Sequence, residues 1–515
     1  MIPHVGIGRA TTLLVVTIAL AAATVPVSVF PVPHEESEAD PEFWFDQGLS
    51  GIEQRLNLLQ NTRRARQVVL FLGDGMGVST LTAARIYKGQ RLRRRSGEES
   101  ALAWDPFPHM SLATTYGLDV QTSDSANTAT AYLSGVKANY ETLGVDSRVK
   151  RMQCHSDPTT HLPSIMQWAQ EAGLWTGIVT TTRVTDATPA AAYAHSGYRK
   201  WQSSVPEGCN AKDIARQLVQ YTPGSRFKVI MGGGRSAFLD KELRDDEERP
   251  GERSDGRNLI KDWLDEKKSH SAHVKYIWNR KQLHAVNPNN TEYLLGLFDS
   301  DHLPYSFERR SLKTTKPSLP EMTRVALEIL QKSPKGFILL VEGGRIDHAH
   351  HTTRAGLALE EMLELDRAVD DTLEKFGASG DTLVVVTADH SHTFSFGGRN
   401  TPRGKNILGV AGLSDVDQQP FTMIAYGNGP SVAADRSNLT ERETSSMNYT
   451  QQAAFPKRLE THGGEDVAVF AIGPWAHLFS GVHDQTYIPH AIAYAACIGQ
   501  FHGSKCHTAS PELRR

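Results

Sequence analysis

No excess of charge of either sign marks this chain. Its formal net charge is -3 over 515 residues, which gives no reason to expect nucleic acid as a partner. Cysteine is scarce: the four present form an even set that admits three pairings and selects none. No internal repeat is found. No Gly-x-Ser-x-Gly elbow surrounds Ser125, the serine on which the chemistry below turns, and that disfavours a histidine-driven hydrolase. Residues 506–515 are polar and lack the apolar tail of a lipid-anchor signal. An apolar content of 39% and a charged content of 22% suit a soluble globular protein with ample length for a large core.

The chain divides by composition. Arg9 precedes an apolar stretch with small residues at Ala21, Ala22 and Ala23, the pattern of a secretory signal over residues 1–30. Apolar character continues to Val32, so an uncleaved anchor is the rival reading. Residues 35–66 read as a polar helical arm. Over 67–396, strand-like runs alternate with helical ones, which argues for an α/β fold: a central, mostly parallel sheet flanked by helices on both faces. Residues 397–458 are rich in Pro, Gly, Ser and Asn and read as an inserted surface subdomain. The core pattern resumes over 459–506, and 507–515 is a polar tail. Two charged stretches, 88–95 and 240–257, read as solvated loops. Asn289, Asn438 and Asn448 match the glycosylation acceptor pattern, which together with the leader fits a secreted or cell-surface protein.

Four apolar runs end in side chains that bind metals. Run 337–341 leads to Glu342, Asp347, His348, His350 and His351; run 68–72 leads to Asp74; run 383–387 leads to Asp389, His390 and His392; run 177–181 leads to Asp186 and Thr188. Zinc takes imidazole and carboxylate, harder cations take oxygen, and open α/β sheets place their sites at these strand ends. Asp347 and His351 are four apart and share a helix face; His350, three apart, competes for the same role. His348 points elsewhere and is a candidate for substrate contact, and His392 reads as a supporting residue. Asp124 suits the N-cap of a helix whose first turn holds Ser125, a position that favours phosphate. A serine there needs activation, and zinc can supply it, since it lowers the pKa of bound water from 15.7 to about 7. Arg199 offers a planar guanidinium able to clamp two phosphate oxygens.

Taken in order, residues 72–77, 124–126, 342–351, 387–392 and 461–466 resemble the alkaline phosphatases, and the resemblance runs from about Glu42 to Cys506. It implies a phosphoric monoester hydrolase of broad substrate range with two zinc ions and one magnesium. Asp347, His351 and His462 would hold the first zinc. Asp74, Asp389 and His390 would hold the second, which also meets Ser125. Asp74 would bridge to magnesium, completed by Thr188 and Glu342, with Asp186 on a magnesium-bound water. Arg199 would clamp the phosphoryl group, and His348 would contact substrate. Ser125 would become a phosphoserine that water then hydrolyses, with activity rising with pH. The resemblance further implies disulfides Cys154–Cys209 and Cys497–Cys506, a homodimer reached by the N-terminal arm, and a crown near 397–458.

Two positions depart from the family pattern. Asp186 matches bacterial members, whereas His348 matches the animal form, a mixed pair. Lys316, before Pro317, Ser318 and Leu319, stands where vertebrate members place an acidic calcium ligand; a cation there would repel calcium, so that site is expected to be altered or absent, although Phe298 and Asp299 are retained. Competing readings are another enzyme of the same metal superfamily, such as a sulfatase, phosphodiesterase or phosphomutase, and a catalytically silent binding protein. Glu342, Thr188 and Arg199 favour the monoesterase, and the complete ligand set disfavours the silent protein.

Overall fold

The computed structural model describes residues 37–93, 96–377, 380–398, 400–432, 436–503 and 506. The expected leader and C-terminal tail lie outside the described residues. Aliphatic and β-branched runs buried on both faces form a ten-stranded sheet. Its order is Gly481–Asp484, His109–Thr114, Val467–Ile472, Thr382–Ala388, Gln67–Gly73, Phe337–Gly343, Trp175–Arg183, Val229–Gly233, Tyr293–Leu297 and Val274–Ile277. From Thr382–Ala388 onward all strands are parallel, while Val467–Ile472 runs against both its neighbours. The register is what places the chemistry. Gly73 pairs with both Gly343 and Ala388, and Thr180 pairs with Glu342, so the residues that follow these strands emerge side by side.

Helices cover the sheet in two sets. Val78–Lys88 and Leu319–Leu330 pack on the long helix Ala355–Phe376; Ile165–Glu171 and Tyr487–Ala496 pack on Ser125–Ser134. Residues 397–458 leave the large sheet. They supply most of a three-stranded sheet, Phe394–Phe396, Ile424–Gly429 and Gln452–Pro456, and the hairpin Val410–Leu413 with Pro420–Thr422. No described helix is long and apolar enough to cross a membrane. The pairings Cys154–Cys209 and Cys497–Cys506 are both formed.

The N-terminal arm forms a 3-10 turn over Ser37–Ala39 and an α-helix over Pro41–Leu56, and that helix is not simply polar. None of the α-helix's residues is buried, and Trp44, Phe45, Leu49 and Ile52 are all more than half exposed. Most of the stretch 240–257 is exposed loop as expected, but individual charges in both stretches are tied into the fold. Lys88 meets buried Asp366 at 2.7 Å and Arg91 meets Glu360 at 2.7 Å. Arg253 is 1% exposed, held by Asp213 at 2.9 Å and Asp255 at 2.7 Å. Composition alone reads such runs as solvent-facing, but charges with partners can be buried.

Lys316 is buried as well. Its ammonium lies 2.5 Å from Glu247 and 3.5 Å from Asp299, while Arg235 joins Glu247 at 2.6 Å. Burial pushes the Glu247 carboxyl up, and Lys316 with Arg235 outweighs it, leaving it below the usual range. Lys316→Met should destabilise the fold by about 1–3 kcal/mol in denaturant unfolding, because it strands acidic groups with less counter-charge. Lys316→Asp should gain a rise in Tm on adding calcium that the parent lacks; no calcium response in the variant would reject the view that Lys316 takes the place of a calcium ion.

Candidate metal centre

The strand ends converge as the register requires. Asp74 follows Gln67–Gly73, Asp389 and His390 follow Thr382–Ala388, and Glu342 closes Phe337–Gly343 just before the helix Arg345–His351. His462 arrives on a short antiparallel pair opposite His392. Ser125 opens the helix Ser125–Ser134, whose N-cap Asp124 accepts from the Ala126 N–H at 3.1 Å and the Asn127 N–H at 3.4 Å. Gly75 has φ +71, and a Cβ there would lie 2.4 Å from His392 Nε2, so only glycine lets this turn approach the histidines.

The hydrogen bonds fix which imidazole nitrogens are free. Nδ1 of His351 faces the Glu460 carbonyl at 2.6 Å, Nδ1 of His462 the Ser123 carbonyl at 2.8 Å, and Nδ1 of His390 the Ser391 carbonyl at 3.1 Å. A carbonyl only accepts, so each Nδ1 carries the proton and each Nε2 of a neutral ring presents a lone pair. Those lone pairs meet one another and carboxylates. His351 Nε2 and His462 Nε2 are 3.3 Å apart, and each is 3.4 Å from an Asp347 oxygen. His390 Nε2 lies 3.1 Å from Asp389 Oδ2, 3.5 Å from Asp74 Oδ1 and 3.2 Å from Ser125 Oγ.

Donor atoms on a tetrahedral zinc, with bonds of about 2.0–2.1 Å, lie about 3.3–3.4 Å apart. Both groups match that edge. Asp389 Oδ1 takes the Gly75 N–H at 2.9 Å and the His390 N–H at 2.8 Å, yet Asp389 Oδ2 and Asp74 Oδ1 are buried with no hydrogen-bond donor. Burial, reinforced by Asp389, raises the Asp74 carboxyl well above the usual range. These groups call for cations, and the donor types fit zinc at both.

A third group is richer in oxygen. Glu342 accepts from Thr180 and, at 3.1 Å, from Thr182. Tyr132 donates to Thr188 Oγ1 at 3.4 Å. Burial pushes Glu342 up to about 7, offset in part by its threonine partners. A carboxylate with surrounding hydroxyls suits a hard cation such as magnesium. Asp186 and Asp124 each hold Arg199 at 3.2 Å. Burial lowers the guanidinium, but the two carboxylates outweigh it and keep it charged.

His350 and His392 are settled by their partners. His350 is fully buried between Tyr426 at 2.9 Å and Thr80 at 3.2 Å and faces no candidate ion. His392 bridges Asp347 at 2.8 Å and Glu460 at 2.5 Å; burial lowers it, the carboxylates outweigh this, and it is pushed up to about 10. With a carboxylate facing each ring nitrogen, it has none left to face an ion. Sequence reasoning missed Glu460, Thr180, Thr182 and His302. Nothing local marks Glu460 or the strand threonines, whereas His302 could have been found as a histidine just after the apolar run 294–298. His348 stands edge-on to His302 at 4.4 Å.

The model of the alkaline phosphatase family matches residues 65–498. The chain is 51% identical to an alkaline phosphatase of Gadus morhua over 90% of this chain and 99% of that protein. It is 50% identical to the tissue-nonspecific isozyme of alkaline phosphatase of Homo sapiens, over 90% of each. Among solved structures, a substituted TAB5 alkaline phosphatase with magnesium bound aligns at a TM-score of 0.59 and 20% identity, covering 85% of this chain and 100% of that one.

Proposed function

The chain belongs to the alkaline phosphatase family and is a metal-binding phosphoric monoester hydrolase, and from that premise we propose that it works through a phosphoserine at Ser125. The observation that carries this reading is the pair of donor groups with unshared imidazole lone pairs, the one at Ser125 also holding two orphaned carboxylate oxygens. Asp347, His351 and His462 would hold one zinc; Asp74, Asp389 and His390 would hold a second. Asp74, Thr188 and Glu342 would hold magnesium, with Asp186 acting through water; magnesium in the TAB5 relative supports that choice. When bound, the zinc ions would lower the pKa of the serine hydroxyl and of water and offset charge on the leaving oxygen.

The chain's own groups do the rest. Ser125 Oγ forms a bond to phosphorus as the ester oxygen departs with its electron pair, and water then attacks the phosphoserine and frees Ser125. The positive end of the helix dipole favours the anionic phosphoryl group. Arg199, braced by Asp124 and Asp186, presents its remaining N–H donors to two phosphoryl oxygens. His348 is a candidate substrate donor: its Nδ1 accepts from Arg345 at 2.8 Å, so its proton sits on Nε2. Burial pushes this ring down to about 3, so it stays neutral at working pH.

Purified protein should hydrolyse an aryl phosphate far faster than the matching diester and carry zinc and magnesium in elemental analysis. A diester preference would favour another metal hydrolase. Arg199→Ala should lower kcat/KM about 10²-fold and weaken inhibition by phosphate by a similar factor. Unchanged phosphate inhibition would remove Arg199 from the clamp.

A second copy would cover the exposed apolar face of Pro41–Leu56, giving a homodimer; sedimentation at the mass of a single 56.7 kDa chain would exclude it. The two disulfides and the exposed acceptors Asn289, Asn438 and Asn448 suit an extracellular protein.

A further inference from the structure

His302 lies beside Asp186 and was assigned no role above. With His348 and Asp186 it forms a group whose nitrogens and carboxylate oxygen all lie within 4.8 Å of one another, an arrangement that resembles a metal cage. The partners argue otherwise. The backbone N–H of Arg183 donates to His302 Nδ1 at 3.1 Å, and Arg345 Nη1 donates to His348 Nδ1 at 2.8 Å. A backbone amide and a guanidinium are donors only, so both Nδ1 atoms are bare and both Nε2 atoms carry the proton. Neither neutral ring has a lone pair left for an ion. The group is two N–H donors beside one carboxylate.

The carboxylate is held unevenly. Asp186 Oδ1 accepts from the Ala187 N–H at 2.8 Å and from Arg199 Nη2 at 3.2 Å. Asp186 Oδ2 is the oxygen that faces His302 Nε2, at 3.8 Å, a gap that one water or a small closure spans. Asp301 Oδ1 is marginally nearer to Nε2, at 3.6 Å, but it already accepts from Arg183 Nε at 2.6 Å and from the His302 N–H at 2.7 Å. The segment is pinned on both sides of the ring. The Gly234 N–H donates to the Asp301 carbonyl at 2.8 Å, and the Leu303 N–H donates to the Thr181 carbonyl at 3.0 Å. The imidazole is therefore presented from a fixed base, with Nε2 within 3.8 Å of Asp186 Oδ2.

We propose that His302 is a positioning residue for phosphoryl binding: its Nε2–H restrains Asp186 Oδ2, and Asp186, gripped at its two oxygens by His302 and Arg199, keeps the Arg199 guanidinium aimed at the phosphoryl group. The inference rests on the phosphatase reading above and names a residue that reading does not use. It requires the effect of His302 on phosphate to pass by way of Asp186 and Arg199.

The test is a double-mutant cycle of His302→Ala with Arg199→Ala in the metal-loaded protein, with inorganic phosphate as the probe. Phosphate affinity is read by calorimetry and as the inhibition constant against an aryl phosphate; zinc and magnesium content is checked by elemental analysis. His302→Ala alone should weaken phosphate binding about 3–10-fold and raise KM by a similar factor, with kcat within about twofold. His302→Gln, whose amide N–H falls near the position of Nε2, should restore most of the affinity. In the Arg199→Ala background, His302→Ala should cause no further loss. Full additivity of the two losses, failure of Gln to rescue, or unchanged phosphate affinity in the single variant would each overturn the proposal. A parent protein that hydrolyses aryl phosphate while His302→Ala binds phosphate normally refutes the positioning role alone; a parent with no hydrolysis at all refutes the reading beneath it.

Discussion

Ser125→Ala should abolish turnover, with a loss on the order of 10⁴-fold or more in kcat, while the fold and the metal content stay intact. The expectation follows from where the hydroxyl sits. Ser125 is 2% exposed, and its oxygen lies 3.2 Å from His390 Nε2 at one corner of the second donor group. The helix does not depend on it, because the capping bonds come from Asp124 and from Asn127, which donates nothing to Ser125. The substitution removes one oxygen and adds no bulk, so lost activity reports chemistry and not unfolding. Labelled phosphate ester quenched in acid should leave covalent label on Ser125 in the parent and none in the variant. A variant that keeps more than about a tenth of parental activity would mean that another group attacks phosphorus.

Exhaustive chelation should eliminate hydrolysis and lower Tm by about 5–15 °C, since metal bound only by the folded chain contributes its binding energy to folding. Removing the ions leaves Asp74, Asp389, Asp347 and Glu342 packed together with two carboxylate oxygens lacking donors. The pH dependence has a definite sign. Glu342 is raised by burial from 4.5 to about 7, so its neutral form is favoured in the folded state, and the stability this gives is present below about 4.5. That stability is lost as pH rises through about 7. The chelated protein should accordingly weaken further from pH 5 to pH 8, and readdition of zinc and magnesium should reverse both losses. Full activity after chelation, verified by elemental analysis, would remove the metals from the reaction.

Much of this site was legible because each strand announces its ligand at its own end. Asp74, Asp389, His390 and Glu342 follow apolar runs directly, and the 347–351 spacing is helical. What the sequence could not supply was the strand order that sets Gly73 between Gly343 and Ala388. The supporting groups were harder for a different reason. Glu460 meets His392 across 68 residues and Thr180 meets Glu342 across 162, so nothing near them in the chain reveals a role. The internal partners of Lys88, Arg91 and Arg253 were hidden because solvation and internal pairing draw on the same residue types. Spacing alone left His350 against His351 open; the family resemblance favoured His351, and in the structure Tyr426, from the inserted region, takes the His350 ring away.

The ammonium of Lys316 has a consequence for where such a protein can work. A free ion in that acidic recess would come and go with its concentration outside the molecule. A positive group carried on its own side chain is delivered at synthesis, one per chain, and cannot be diluted, exchanged or scavenged. This corner of the structure should therefore hold equally well in soft water, in brine and in a phosphate-rich medium that strips alkaline earths from solution.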